Sequence, residues 1–300
     1  DDDMIINNCY NKGTIGSEET TYYQIGGLVG QSGRDSSSSS KTATCIITNS
    51  NNEGIILGNS NSGGIIGENR KYSIYISNCW NSANMKGYNQ IGGIIGQNIG
   101  APIFVIRDCY NSGIIESSSY YVSGLIGRIQ GAEQSIIYNC HNDNNIIDNN
   151  QYVNNYGGIL GGISNGTSIR IIKCYNKGDV LSGTYCGGIL GSIDQLNNVE
   201  IAECYNMGNI TGKSNCDGGI AGNIGTQENL KIYKCYNIGN VIGKENRIGG
   251  LVGQISAGSG NADIDECYNT GYIEGKGQIG GIIGYQFGEI SNIKNCHNLG

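Results

Sequence analysis

Residues 201–210 read Ile-Ala-Glu-Cys-Tyr-Asn-Met-Gly-Asn-Ile, and residues 218–222 follow with Gly-Gly-Ile-Ala-Gly. Close variants of both stretches recur along the whole chain, so that the general unit is Ile-x-x-Cys-Tyr-Asn-x-Gly-x-Ile followed by Gly-Gly-Ile-Ile-Gly. Consecutive copies 30, 31 and 32 residues apart have their cysteine at Cys174, Cys204, Cys235 and Cys267. This period predicts a repeat protein in which each copy is one structural unit.

Two positions of the unit are identical in ten copies. An isoleucine lies three residues before the cysteine position, at Ile6, Ile47, Ile76, Ile106, Ile137, Ile171, Ile201, Ile232, Ile264 and Ile293. An asparagine lies two residues after it, at Asn11, Asn52, Asn81, Asn111, Asn142, Asn176, Asn206, Asn237, Asn269 and Asn298. One residue type at one place in every copy indicates that the copies stack in register.

Each copy contains three short apolar runs bounded by glycine, asparagine or serine, and none is long enough for a helix. We therefore predict an all-β parallel β-helix, or β-solenoid, of nine to ten coils of about 31 residues with three short strands each. Parallel crossovers are overwhelmingly right-handed, so we expect a right-handed coil. Residues 1–300 should form one continuous solenoid, with loop insertions at 32–44 and 143–155 where copies lengthen.

Stacking gives each repeated residue a physical role. The isoleucines should form a continuous core, because neighbouring coils bury what a single coil cannot. The asparagines can accept a left-handed turn conformation and can also bond from coil to coil as an amide ladder. The glycines supply either positive φ or room for close backbone approach.

The composition argues against several partners. The net charge is −7, with 18 Lys and Arg and no basic run, so nucleic acid and anionic membrane surfaces are not expected partners. No apolar stretch approaches the length of a membrane span, so membrane insertion is not expected.

Few residues carry catalytic or metal-binding chemistry. The two histidines, His141 and His297, are five coils apart and cannot share a metal, and the chain has no Cys-x-x-Cys. Gly-Gly-Ile-Ile-Gly lacks the following helix that a phosphate-binding loop needs. The densest acidic cluster, residues 263–266, is interpreted as a solvated edge. We therefore predict no enzyme activity, no catalytic residue, no cofactor and no metal.

The cysteines form two groups. Nine of the twelve share the repeat position, where they should be small buried residues that remain free thiols. Cys186 and Cys216 lie in consecutive coils before the Gly-Gly pair, offset by one residue. They form either a coil-to-coil disulfide in an oxidising compartment or two unrelated thiols.

Gly27-Leu28-Val29-Gly30 and residues 250–253 (Gly-Leu-Val-Gly) resemble the GLUG motif, although most copies here have Ile in place of Leu. GLUG-type repeats occur in bacterial adhesin-like surface proteins and in the non-catalytic part of immunoglobulin-A-cleaving metallopeptidases. The resemblance implies an extracellular or cell-surface β-solenoid. It carries over no catalytic residue, since the peptidase's His-Glu-x-x-His is absent.

Three hypotheses about function follow. The first is a non-enzymatic structural or adhesive module of a bacterial surface protein, in which the coils act as a spacer or as a tyrosine-bearing face for a host or glycan ligand. The second is a self-assembling extracellular filament subunit that stacks through uncapped solenoid ends, with itself as partner. The third is a carbohydrate-active β-helix, which would need a local cluster of carboxylates or basic residues on one face.

Overall fold

A computed structural model describes residues 3–17, 23–34, 43–148, 154–257, 261–288 and 292–300. Throughout these residues the regular secondary structure is β-strand, and no helix occurs in them. Every strand pairs in parallel with its counterpart one repeat away. The predicted parallel β-solenoid is therefore confirmed.

Each coil holds five short strands, and not the three expected. The coil that begins at Ile66–Arg70 continues through Ser73–Ser77, Trp80–Asn81, Met85–Lys86 and Asn89–Gly92. Three of its five strands have two to four residues, which is too short for alternation of apolar and polar residues to be recognised in the sequence.

The first two strands of each coil belong to one sheet, here called the long sheet. Its first column contains Val29–Gly33, Ile66–Arg70, Ile95–Ile99, Ile126–Gln130, Leu160–Ser164, Val252–Ala257 and Ile283–Phe287. Its second column contains Met4–Asn7, Thr44–Thr48, Ser73–Ser77, Ile103–Arg107, Gln134–Tyr138, Ser168–Ile172, Asn261–Asp265 and Asn292–Lys294. Two strands of 13 residues run through both columns, Leu190–Ala202 and Ala221–Tyr233.

Three further sheets complete the coil. The asparagine sheet contains Tyr10–Asn11, Asn51–Asn52, Trp80–Asn81, Tyr110–Asn111, His141–Asn142, Tyr175–Asn176, Tyr205–Asn206, Tyr236–Asn237, Tyr268–Asn269 and His297–Asn298. The third sheet contains Ile15–Gly16, Ile56–Leu57, Met85–Lys86, Ile115–Ser117, Ile146–Asp148, Val180–Ser182, Ile210–Gly212, Val241–Gly243 and Ile273–Glu274. The fourth sheet contains Tyr23–Gly26, Ser60–Gly63, Asn89–Gly92, Val122–Ser123, Asn154–Gly157, Thr184–Gly187, Asp217–Gly218, Asn246–Gly249 and Gly277–Gly280.

The asparagine sheet also sets the number of coils. This sheet has ten strands, one from each coil, and its first and last strands each pair with only one other strand. Eight coils therefore have a neighbouring coil on both sides. The predicted nine to ten coils is thus a slight overcount of the complete turns.

The two predicted loop insertions fall largely where the chain is not described. Residues 35–42 of the first and 149–153 of the second lie outside the described residues. The flanks of both insertions are strand: Val29–Gly33 enters the first, and Ile146–Asp148 enters the second.

Two apolar cores run along the solenoid. The main core lies under the long sheet and contains the isoleucine and cysteine columns together with both apolar residues of each Gly-Gly-Ile-Ile-Gly copy. A smaller core lies between the third and fourth sheets and has Ile56, Ile91, Ile146 and Val241 among its members. Both cores are continuous from coil to coil, because each rung covers the one before it.

Close approach, and not positive φ, explains the second glycine of the Gly-Gly pair. A Cβ at Gly188 would lie 2.2 Å from Cγ of Asn206 and 2.3 Å from the carbonyl oxygen of Gly219. Left-handed residues recur instead at two other positions of the coil. One is the residue just before the cysteine position, for example Lys173 and Glu203, and the other lies shortly before the Gly-Gly pair, for example Tyr185 and Cys216. The expectation that the ladder asparagine takes the left-handed turn is therefore wrong, since that asparagine is in a strand.

Candidate functional site

The asparagines form one uninterrupted hydrogen-bonded ladder. Each side-chain Nδ2 donates to Oδ1 of the asparagine in the next coil at 2.7–2.8 Å, from Asn11 through to Asn298. The same nitrogen also donates to the carbonyl oxygen two residues ahead at 2.6–2.9 Å. From Asn52 to Asn269 these side chains have no exposed surface. The predicted amide ladder is confirmed, and it serves to join the coils.

The isoleucine column lies on the inner side of the long sheet. Its members from Ile47 to Ile264 are at most 1% exposed. Ile6 is half-buried and Ile293 is 49% exposed, because each lies in an end coil with a neighbour on one side only. The burial follows from strand alternation: in Ser168–Ile172, Ile169 and Ile171 face inward and Arg170 faces out.

The repeat cysteines form a second buried column beside the isoleucines. From Cys79 to Cys296 each thiol donates to the carbonyl oxygen two residues earlier at 3.1–3.3 Å. Burial raises the pKa of Cys174 and Cys204 well above its ordinary value. No disulfide joins the described cysteines, and the raised pKa of Cys174 and Cys204 favours the protonated, less reactive thiol at those two positions.

Cys186 and Cys216 are not joined by a disulfide. The parallel register sets Gly187 opposite Gly218, so Cys186 lies opposite Asp217 while Cys216 occupies the preceding left-handed position at φ 65°. The Cys216 thiol donates to Oε1 of Gln254 at 3.3 Å, outside the small core that contains Cys186. The one-residue offset thus directs the two side chains differently, and the structure favours two separate thiols.

A buried acid interrupts the small core. Asp217 has no exposed surface, and the backbone nitrogen of Cys186 donates to its Oδ1 at 3.3 Å. Its Oδ2 has no hydrogen-bond partner among the described residues, and a Cβ at Gly212 would lie 1.8 Å from that oxygen. Burial raises the pKa of Asp217 to about 7. The carboxyl is therefore largely neutral in mildly acidic solution.

Seven aromatic rings stack beside the asparagine ladder. They are Trp80, Tyr110, His141, Tyr175, Tyr205, Tyr236 and Tyr268, with ring centroids 4.6–6.0 Å apart and planes within 6° of parallel. Each ring covers the face of the next, so the stack presents ring edges to solvent. Because a sugar or a planar ligand packs on a ring face, this column stabilises the solenoid and is a poor binding platform.

The structure brings no metal site together in the part of the chain that it describes. No group of three or more His, Cys, Asp or Glu side chains there is placed to hold a metal ion. His141 lies between Tyr110 and Tyr175, with Nε2 3.4 Å from a carboxylate oxygen of Asp143, and burial lowers its pKa. His297 occupies the last strand of the same sheet.

The acidic cluster at residues 263–266 is distributed along the outer surface. Asn292 donates to Oδ1 of Asp263 at 2.8 Å, and Asp265 pairs with Lys294 at 3.5 Å. Both carboxylates therefore interact with the adjacent coil. Within the described ranges, no helix of the length and hydropathy needed to span a bilayer is found.

One face of the solenoid has a row of apolar side chains that are partly or fully exposed. In the second column of the long sheet, each strand has one outward-pointing residue at its centre. These residues, called here the outer face, are in register from coil to coil. Over five coils they are Ile5, Ile46, Tyr75, Val105 and Ile136. Ile5 is 71% exposed and Tyr75 37% exposed, and Tyr138 beside them is 38% exposed. Ile46, Val105 and Ile136 are half-buried. A partly exposed apolar row of this kind is a candidate interaction surface.

The outer face changes character over the next four coils. There the same register continues with Arg170, Glu200, Lys231 and Asp263, so that positive and negative charges alternate. Nε of Arg170 lies 2.6 Å from a Glu200 oxygen, and the Tyr233 hydroxyl donates to Glu200 at 2.7 Å. Arg170 and Glu200 of this polar half are therefore paired within the chain.

One coil contains the glycine pair Gly92-Gly93, the column residue Cys109, the stacked Tyr110 and the ladder residue Asn111. Residues 87–116 match the GLUG motif. GLUG is a non-catalytic repeat motif, and this GLUG coil is one turn of the solenoid, so the predicted resemblance is confirmed. No curated protein and no solved structure gave a match to the chain.

Sequence reasoning missed the apolar half of the outer face and the buried Asp217. The outer face could have been found by reading the residue just before each column isoleucine, which is Ile, Tyr or Val in the first coils and charged later. Asp217 could have been found as the acid at a position filled elsewhere by Ile91, Val122 and Ile248.

Proposed function

We propose that this chain is a non-enzymatic structural and adhesive module of an extracellular or cell-surface bacterial protein. The observation that carries the proposal is the contrast between its inside and its outer face. The buried ladder asparagines are hydrogen-bonded from coil to coil, while five coils display a row of partly or fully exposed apolar side chains on the outer face. The GLUG coil supports the structural part of the proposal.

The apolar half of the outer face is the adhesive surface in this proposal. Ile46, Tyr75 and Val105 project from a rigid sheet whose other side is the main core, so the surface pays little conformational entropy when it binds. Its flatness and its repetition along the solenoid suit attachment to an extended ligand.

Adhesion by beads tests this proposal. Beads that display the chain should adhere to mucin-coated glass under flow, and beads that display Tyr75→Thr should detach at lower flow. Tyr233→Thr, on the polar half of the same sheet, is the matched control and should adhere like wild type. Equal adhesion by all three proteins would contradict the proposal, as would failure of antibodies to label the chain on intact cells.

A filament subunit is the second candidate function. The edge strand Met4–Asn7 pairs only with Thr44–Thr48 among the described residues, so its other edge can accept a further strand. An adjoining coil of a longer chain would pair that edge equally well. Electron microscopy separates the two: rods of constant width that lengthen with concentration support a filament, and short rods at every concentration contradict it.

A further inference from the structure

A shallow groove of about 440 Å³ crosses the apolar half of the outer face. Its walls come from three consecutive coils. It is lined by Ile46, Thr48, Tyr75, Ile76, Ser77, Val105 and Arg107. The groove thus combines apolar side chains with three hydroxyl groups, those of Thr48, Tyr75 and Ser77, and a single cation, and no acidic side chain is among the described residues that line it.

Arg107 is an available cation. It is exposed, and within the described ranges it takes part in no ion pair. The adjacent acid, Asp108, accepts a hydrogen bond from Asn139 at 2.6 Å. Its column neighbours in the adjoining coils are Ser77 and Tyr138, which are neutral. The guanidinium is therefore free to bind an anion from outside the chain.

A second groove on the same sheet serves as an internal comparison. It has a volume of about 340 Å³ and includes Arg170, Glu200 and Lys231 in its lining. There the guanidinium of Arg170 is already bound to Glu200 at 2.6 Å, and Lys231 lies opposite Asp263 in the register. The two grooves thus differ in charge: Glu200 neutralises Arg170 in this groove, whereas no acidic side chain is among the described residues that line the groove around Tyr75.

We propose that the groove around Tyr75 and Arg107 binds an acidic saccharide, that is, a chain of pyranose residues with carboxylates. A pyranose ring has an apolar C–H face that fits Tyr75 and Val105, and hydroxyls that can bond Thr48 and Ser77. Its carboxylate can form a bidentate pair with the Arg107 guanidinium. Apolar lining with a few placed polar groups is the usual composition of a ligand site.

The spacing of the coils favours a saccharide over an extended peptide. The coil rise is about 4.8 Å, which is close to the length of one pyranose residue in a chain. An extended peptide bound along the solenoid would place side chains on one face every ~6.6 Å. Because this spacing differs from the coil rise, its side chains would no longer match the columns after two coils. A sugar chain along the solenoid would instead meet the same columns in each coil.

A second copy of this chain fits the apolar stripe less well. Five coils and one five-residue strand give a patch of about 24 Å by 17 Å, or about 400 Å². A stable protein interface needs about 800 Å² on each partner.

This inference rests on the proposed adhesive function, and calorimetry with defined probes tests it. The probes are hexagalacturonate and its fully methyl-esterified form, which has the same rings without the charge. Wild type should bind the acid form about tenfold more tightly than the ester. Arg107→Gln should remove that preference, and Tyr75→Thr should weaken binding of both probes. Lys231→Gln is the matched control and should bind both like wild type.

Three results would overturn the inference. The first is equal affinity of wild type for the two probes. The second is an equal loss of affinity for the acid probe in Arg107→Gln and Lys231→Gln. The third is that neither probe binds and that the protein self-associates in a way that Tyr75→Thr abolishes. Each variant should first give the circular dichroism spectrum and melting temperature of wild type. If neither probe binds but Tyr75→Thr still weakens bead adhesion, the inference fails and the adhesive function stands. If bead adhesion is also unchanged, both fail.

Discussion

The amide of Asn206 donates a hydrogen bond to the amide oxygen of Asn237 in the next coil at 2.8 Å, and neither side chain has any exposed surface. The same nitrogen also donates to the carbonyl oxygen of Gly208 at 2.7 Å. One short side chain therefore satisfies the turn of its own coil and the ladder of the next. This double role accounts for the identity of the residue in every copy, since no other side chain of this size offers both an acceptor and two donors.

Replacing Asn206 with alanine should destabilise the chain by about 3 kcal/mol, because it leaves the Gly208 carbonyl and the Asn237 amide oxygen buried without donors. Chemical denaturation followed by circular dichroism measures the change. Asn298→Ala is the matched control: Asn298 is an exposed member of the same ladder, and its loss should cost less than about 1 kcal/mol. Equal effects of the two substitutions would contradict the ladder's role.

Replacing Gly188 with alanine should be about as harmful, although it adds only one methyl group. The new Cβ would lie 2.2 Å from Cγ of Asn206, so either the ladder or the backbone must move, at a cost of about 2–3 kcal/mol. At Gly13 the new Cβ would meet Oδ1 of Asn11 at 3.7 Å, an ordinary contact, so Gly13→Ala should change stability by less than about 0.5 kcal/mol. Similar melting temperatures for both variants would be inconsistent with this packing.

The stability of the protein should fall as pH rises, because of Asp217. The carboxyl has an ordinary pKa of 3.8 when unfolded and about 7 when folded, since burial disfavours its charged form. Below about pH 3 it is protonated in both states, and its full contribution is present. Between pH 4 and 7 only the unfolded state ionises freely, so the free energy of unfolding decreases by about 4 kcal/mol and then levels off.

Thermal unfolding of wild type and Asp217→Asn between pH 4 and 8 tests that dependence. The amide is neutral throughout, so the variant should lose the part of the pH dependence that Asp217 contributes and should be the more stable protein at pH 8. If the melting temperatures of the two proteins changed with pH in the same way, the Asp217 carboxyl would ionise at little cost. That result would contradict the buried position of this side chain.

The cysteines should react with a thiol reagent in an order set by burial. Cys9 is exposed and Cys296 half-buried, whereas the repeat cysteines between them are buried. Titration with Ellman's reagent under native conditions should modify Cys9 quickly and Cys296 more slowly, and the remaining thiols only on unfolding. Rapid modification of Cys174 or Cys204, located by mass spectrometry, would contradict the buried column.

The repeated columns could be predicted from the sequence because stacking makes one residue per coil visible as a period. Ile201 and Asn206 are two such residues, and their burial and ladder role follow from the spacing alone. The left-handed residue before each cysteine position was missed although six of the ten copies have Asn or Asp there, which tolerate that conformation, for example Asn78 and Asp108. At Lys173, Glu203 and Lys234 the surrounding coil imposes the conformation, so the residue type gives no signal there. The inward orientation of Cys186 and Asp217 depends on the pairing register of their strands. A one-residue offset in the sequence does not reveal which side chain faces the core.

Hydrogen–deuterium exchange of the asparagine side-chain amides, followed by NMR, tests the central claim most directly. The account predicts slow exchange for the eight buried ladder asparagines from Asn52 to Asn269, with Asn298 exchanging faster at the end of the ladder. Side-chain amides of the ladder that exchange as fast as those of exposed asparagines such as Asn165 would contradict it, because a solenoid built on this ladder cannot leave its amides open to water.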